Sequence, residues 1–102
     1  MPELLSREFR IDADHPAFKG HFPDEPIVPG VILLEKVRYT VLEFKPGYRI
    51  KAFPSAKFHH PLYPDQSFTV TLSETENDVL RFVCSRGDLT LASGSLIVEH
   101  AD

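Results

Sequence analysis

Three residues inside one short stretch have the chemistry of proton transfer: His21, Gly30 and Glu35. An imidazole titrates near neutrality and can take a proton. A carboxyl group partly buried beside apolar side chains has a raised pKa and can give one. A glycine that opens a helix offers unpaired backbone N–H groups and a partial positive charge to a developing oxyanion. Together they are the parts of a general acid–base site.

The local sequence explains how the three would be delivered to one place. Residues 15–35 read HPAFKGHFPDEPIVPGVILLE. Prolines at 23, 26 and 29 fix φ and remove donors, so Phe22 to Pro29 is neither helix nor central strand but a stiff loop. Proline suits a first helical turn, and an apolar helical run follows from Gly30 to Phe44. Leu33, Leu34, Val37, Val41 and Phe44 recur at three- and four-residue spacing, with Lys36, Thr40 and Glu43 expected opposite. Glu35 falls at the margin of the apolar face. Arg38 stands one turn from it and is expected to point outward, its stem snorkelling past the apolar stripe. Lys45-Pro46-Gly47 ends the helix.

The remainder reads as strands. Leu4 to Asp12 carries an imperfect alternation, and Tyr48–Phe58, Ser67–Thr75, Asp78–Arg86 and Leu89–Glu99 follow the helix. The short turns at Glu76-Asn77-Asp78 and Arg86-Gly87-Asp88 join the last three into an antiparallel meander. Ala92 and Gly94 are small enough to let the helix approach the sheet. One strand, one helix and four strands give an α+β fold, an antiparallel sheet of about five strands around one central helix. Residues 1–102 make a single domain.

The string G-H-F-P-x-x-P-x-x-P-G-V-x-x-x-E, from Gly20 to Glu35, resembles the signature of the 3-hydroxyacyl-(acyl carrier protein) dehydratases of the FabA/FabZ family. Ala56 to Gln66, AKFHHPLYPDQ, is similar to that family's V-K-F-x-x-P-V-x-P-G-D-Q. The likeness runs from residue 15 to 68 and weakens beyond. It implies the hot-dog fold, with strand order 1-3-4-5-2, and dehydration of 3-hydroxyacyl thioesters to trans-2-enoyl thioesters in fatty-acid or related polyene lipid biosynthesis. His21 would then take the C2 proton, the Gly30 amide would polarise the thioester carbonyl, and Glu35 would assist the leaving hydroxyl. Pro29 and Val31 would line the substrate site, and Phe22 and Phe58 the acyl tunnel. The reaction implies no cofactor and no metal. The active unit would be a homodimer or an oligomer of dimers, with His and Glu facing each other across the interface. Two departures stand out. Lys36-Val37-Arg38-Tyr39 replaces the family's A-x-A-Q, and Pro64-Asp65-Gln66 lacks the glycine of P-G-D-Q. A non-catalytic acyl-binding or partner subunit, or a thioesterase on the same fold, remain the alternatives.

Charge and composition narrow the partners. A net charge of −4 argues against nucleic acid. Lys36, Arg38 and Arg49, with Lys45 and Lys51, form a basic stretch in an acidic chain, either a solvated face or a docking patch for an acidic acyl carrier protein. His15, His59, His60 and His100 show no metal-ligand spacing. His59 and His60 are expected beside the tunnel or the subunit interface, and His15 in the shaping of the loop. The single cysteine, Cys84, reads as a small core residue and fits a reducing compartment. The first ten residues lack an apolar signal segment and no apolar run spans a bilayer, so a cytoplasmic location is expected.

Overall fold

A computed structural model of the chain describes residues 3–16, 27–76 and 78–101. Strand β1 (Glu3–Arg10) comes first, then helix α1 (Gly30–Phe44) and strands β2 (Tyr48–Phe58), β3 (Ser67–Glu76), β4 (Val79–Arg86) and β5 (Leu89–His100). Every strand pair is antiparallel, and the sheet order is β1-β3-β4-β5-β2. The expected order and the meander are both present.

Alternation builds the core. Phe68, Val70 and Leu72 of β3 and Leu80, Phe82 and Cys84 of β4 are fully buried on one face of the sheet. In β5 two successive residues, Leu91 and Ala92, are buried because the β4–β5 register shifts between Cys84 and Ser85. Arg86 pairs with Leu89, which leaves Gly87-Asp88 as a two-residue hairpin loop. Gly87 takes the left-handed φ of 60° that such a loop needs.

The helix sets Ile32, Leu33, Val37, Thr40 and Val41 against this face. Thr40 was expected on the polar side, yet it is buried. Its hydroxyl donates to the Lys36 carbonyl 2.8 Å away, so no unpaired polar group enters the core. Glu43 does lie outside, in an ion pair with Arg7 of β1.

Gly94 also differs from expectation. A side chain there would meet not the helix but the backbone of β2: an added Cβ would lie 2.0 Å from the Ser55 carbonyl oxygen and 2.8 Å from the Phe82 ring. Two register shifts between Ile50 and Ser55 bend β2 inward at this point. The bend carries the end of β2, at Phe58, to the start of the helix.

Candidate active site

Pro29 sits just outside the helix as its N-cap, with φ −59° and ψ 144° and no capping side chain. The first backbone bond of the turn runs from the Ile32 N–H to the Pro29 carbonyl at 2.9 Å. Among the described residues, the amides of Gly30 and Val31 have no acceptor. They are the open donors that a helix start offers to an oxyanion.

Gly30 lines a hollow of about 430 Å³ with Ile27, Val28, Leu33, Phe58 and Leu62. A Cβ at position 30 would lie 2.8 Å from the Phe58 ring, so only glycine lets that ring lie over the helix start. His59 and His60 complete the wall. The His59 Nε2 and the Ser93 hydroxyl share a hydrogen bond of 3.0 Å. His60 donates from Nδ1 to the Thr90 carbonyl at 2.9 Å, which leaves its Nε2 as an acceptor while the ring is neutral. Both histidines therefore flank the hollow, oriented by β5.

Glu35 faces elsewhere. It lies with Val31, Leu34 and Arg38 on one side of a second groove of about 540 Å³, whose far side is Arg49 to Phe53 of β2. Val31, expected beside Gly30, is 69% exposed here. The Glu35 side chain is 46% exposed, with the Lys36 ammonium 3.8 Å away. Arg38 makes no ion pair with Glu35 among the described residues, in line with the outward placement read from its stem, and it shares the groove. Among the described residues of one copy, then, Gly30 and Glu35 line two different hollows. His21 and Phe22 lie outside the described residues.

The basic stretch divides in the same way. The Lys36 stem is largely covered, and its ammonium lies over the rings of Tyr39 (5.0 Å) and Phe9 (5.8 Å). Arg49 is held by Glu99 at 2.7 Å. Of the three residues expected to dock a carrier protein, Arg38 is the one that no ion pair engages among the described residues. No sequence signal marks this split, because cation–π contacts and cross-strand ion pairs depend on register.

With this geometry in place, comparison with known proteins is informative. Residues 3–95 match the profile of the ApeI-like family, described as ApeI dehydratase. The chain belongs to the ApeI-like family. Curated relatives include the 3-hydroxyacyl-[acyl-carrier-protein] dehydratases FabZ of Cronobacter sakazakii, 33% identical, and Klebsiella pneumoniae, 34% identical, each over 101 aligned positions. These matches cover 87% of the chain and 64% of the relative, so the chain spans less than two thirds of their length. Among solved structures, a chain of the dehydratase heterocomplex ApeI:P from Xenorhabdus doucetiae superposes with a TM-score of 0.80 at 22% identity, covering 95% of this chain and 96% of that one. A probable thioesterase from Bartonella henselae superposes at 0.75 with 14% identity, covering 99% and 92%. At such identities the likeness speaks for the fold. The fold of this ApeI-like chain is the hot-dog fold, its α1 lying in the curl of the sheet. Among the described residues, no helix is long and apolar enough to cross a membrane.

Proposed function

We propose that the chain dehydrates 3-hydroxyacyl thioesters borne on an acyl carrier protein, giving trans-2-enoyl thioesters. The observation that carries this reading is the uncapped start of α1, opening at Gly30 into an apolar hollow, in a chain of a dehydratase family. The thioester carbonyl would accept from the Gly30 N–H, and the acyl chain would run along Phe58, Val28 and Leu62. His21 takes the proton from C2, and the electron pair moves onto the carbonyl oxygen. As it returns to form the C2=C3 bond, the C3–O bond breaks and Glu35 supplies a proton, so that water leaves. Each such proton transfer contributes on the order of 10²–10⁴ in rate, and one oxyanion donor about 10²–10³.

Because Gly30 and Glu35 of one chain open into different hollows, the reaction needs the carboxylate of a second chain. We assign that role to another copy. The groove holding Glu35 also holds Arg38, which no ion pair engages among the described residues, and the exposed Val31 beside them gives a face that can meet itself about a twofold axis. The ApeI:P relative is described as a heterocomplex, so a different hot-dog partner is the competing arrangement.

The test is to incubate the pure chain with 3-hydroxyacyl thioesters of several lengths, on carrier protein and on coenzyme A. Conjugated enoyl absorbance is the expected outcome. Release of free thiol without it would identify a thioesterase, the activity of some structural neighbours, and neither signal would indicate a binding subunit. In the same assay Arg38→Ala is expected to raise KM for the carrier-borne substrate roughly fivefold, about 1 kcal/mol of lost rim attraction, with kcat unchanged. Equal changes with both thioesters would remove Arg38 from carrier docking.

A further inference from the structure

The hollow beside Gly30 is apolar at its floor and polar at its mouth. Val28, Leu33 and Leu62 are buried and form the floor. His59, His60 and Pro61 are exposed and form the rim. Phe58 and Pro61 occupy fixed positions of the second sequence motif, whereas His59 and His60 fill its two open ones. The imidazoles of the rim therefore belong to this chain rather than to the motif.

Exposed histidines are usually free to turn, but this pair is held at four points. Both backbone N–H groups donate to the Leu91 carbonyl, His59 at 2.8 Å and His60 at 3.3 Å. The His59 Nε2 meets the Ser93 hydroxyl at 3.0 Å, and the His60 Nδ1 meets the Thr90 carbonyl at 2.9 Å. Leu91 is fully buried in β5, so the pair is anchored to the core. The two rings are not equivalent. A hydroxyl can give or take a proton, so Ser93 does not set the tautomer of His59. A carbonyl oxygen only accepts, so neutral His60 carries its proton on Nδ1 and a lone pair on Nε2. Among the described residues, nothing donates to that Nε2. His60 thus presents an acceptor of fixed tautomer at the mouth of the hollow.

Thioester chemistry supplies the complement. With the acyl chain on the buried floor and the carbonyl at the Gly30 amide, the sulfur and all that follows it leave through the mouth. The arm of a carrier-borne or coenzyme A thioester runs from sulfur through two methylene groups to an amide, whose N–H is its first donor. We propose that His60 is a specificity-determining residue whose Nε2 accepts that amide N–H. The proposal rests on the dehydratase reading for the place of the carbonyl. An amide held there is remote from the reacting atoms and is bound alike in ground and transition states. Its loss therefore raises KM and leaves kcat.

Two small thioesters of one 3-hydroxyacyl group separate this contact from packing. The N-acetylcysteamine thioester carries the amide; the S-(4-oxopentyl) thioester replaces its N–H by a methylene and keeps the carbonyl. His60→Phe keeps a flat ring at an exposed position and removes both nitrogens. The assay is run at mildly alkaline pH, where a free imidazole is neutral. H60F is expected to raise KM for the amide thioester about fivefold, the worth of one neutral hydrogen bond, with kcat within about twofold. With the methylene thioester, H60F and the parent should agree within about twofold. Equal losses on both thioesters, or none on either, overturn the proposal. A second measurement needs no turnover. The saturated N-acetylcysteamine thioester, which has no 3-hydroxyl to lose, should move the nitrogen resonance of the His60 Nε2, and its methylene counterpart should not. A resonance unmoved by the amide thioester overturns the contact. A parental chain that forms no enoyl thioester defeats the dehydratase reading instead, and the Nε2 resonance then decides the role of His60 alone.

Discussion

Replacing His21 by alanine is expected to reduce turnover at least about a hundredfold, and Glu35→Gln to do the same, with the fold of both variants intact. Glu35 is exposed on α1, so its replacement by an isosteric amide leaves the core untouched. The decisive measurement is to mix the two inactive variants, unfold and refold them together, and assay the mixture. If base and acid come from different copies, each mixed dimer regains one complete site, from the His21 of one chain and the Glu35 of the other. Random pairing then gives roughly a quarter of parental activity. If both groups act within one chain, no mixture recovers anything. Recovery would therefore support a site in which base and acid come from different copies, and its absence would end that arrangement. Full activity in either single variant would remove that residue from the mechanism.

The second large effect concerns stability. Gly94→Ala places a methyl group 2.0 Å from the Ser55 carbonyl oxygen, a backbone atom that cannot swing aside as a side chain can. β2 must separate from β5 around the Ala56–Gly94 pair, and the Phe82 ring must shift as well. Overpacking of this kind costs typically 1–3 kcal/mol and more when backbone must move, and we expect about 3 kcal/mol. For a domain of this size that corresponds to a fall in Tm of roughly 10–20 °C. A melting temperature within two or three degrees of the parent would show that β2 yields more easily than its bend suggests. Activity of any folded fraction should also fall, since the bend places Phe58 over the helix start.

Much of this architecture is legible in the residues. Strict alternation marked β3, and the three- and four-residue spacing of Leu33, Val37 and Val41 marked α1 to the residue at both ends. Strand order is another matter. Periodicity says which face of a strand is apolar but not which strand lies beside it, and the order β1-β3-β4-β5-β2 was available only through the family likeness. Thr40 was placed on the wrong side because a hydroxyl counts as polar until its bond to the Lys36 carbonyl is seen. Ile32, buried beside Leu33, was passed over because it lies outside the stripe of Leu33, Val37 and Val41. Gly94 was read as a close approach of the helix, whereas its neighbour is the backbone of β2, which only the register reveals. The candidate site divides similarly: residue types suggested the chemistry of Gly30 and Glu35, whereas their opening into different hollows follows from three-dimensional packing.

Cys84 gives the molecule a built-in clock. It lies between Val70 and Ala92 in the middle of the sheet, and burial pushes its thiol up to about 12. Sulfur reacts as thiolate, so the folded chain presents almost no nucleophile at neutral pH, and access is closed as well. Alkylation or oxidation at this atom must wait until the meander opens. Since the chain has one cysteine, a single covalent tag counts openings of its most protected strands, free of any background from the surface.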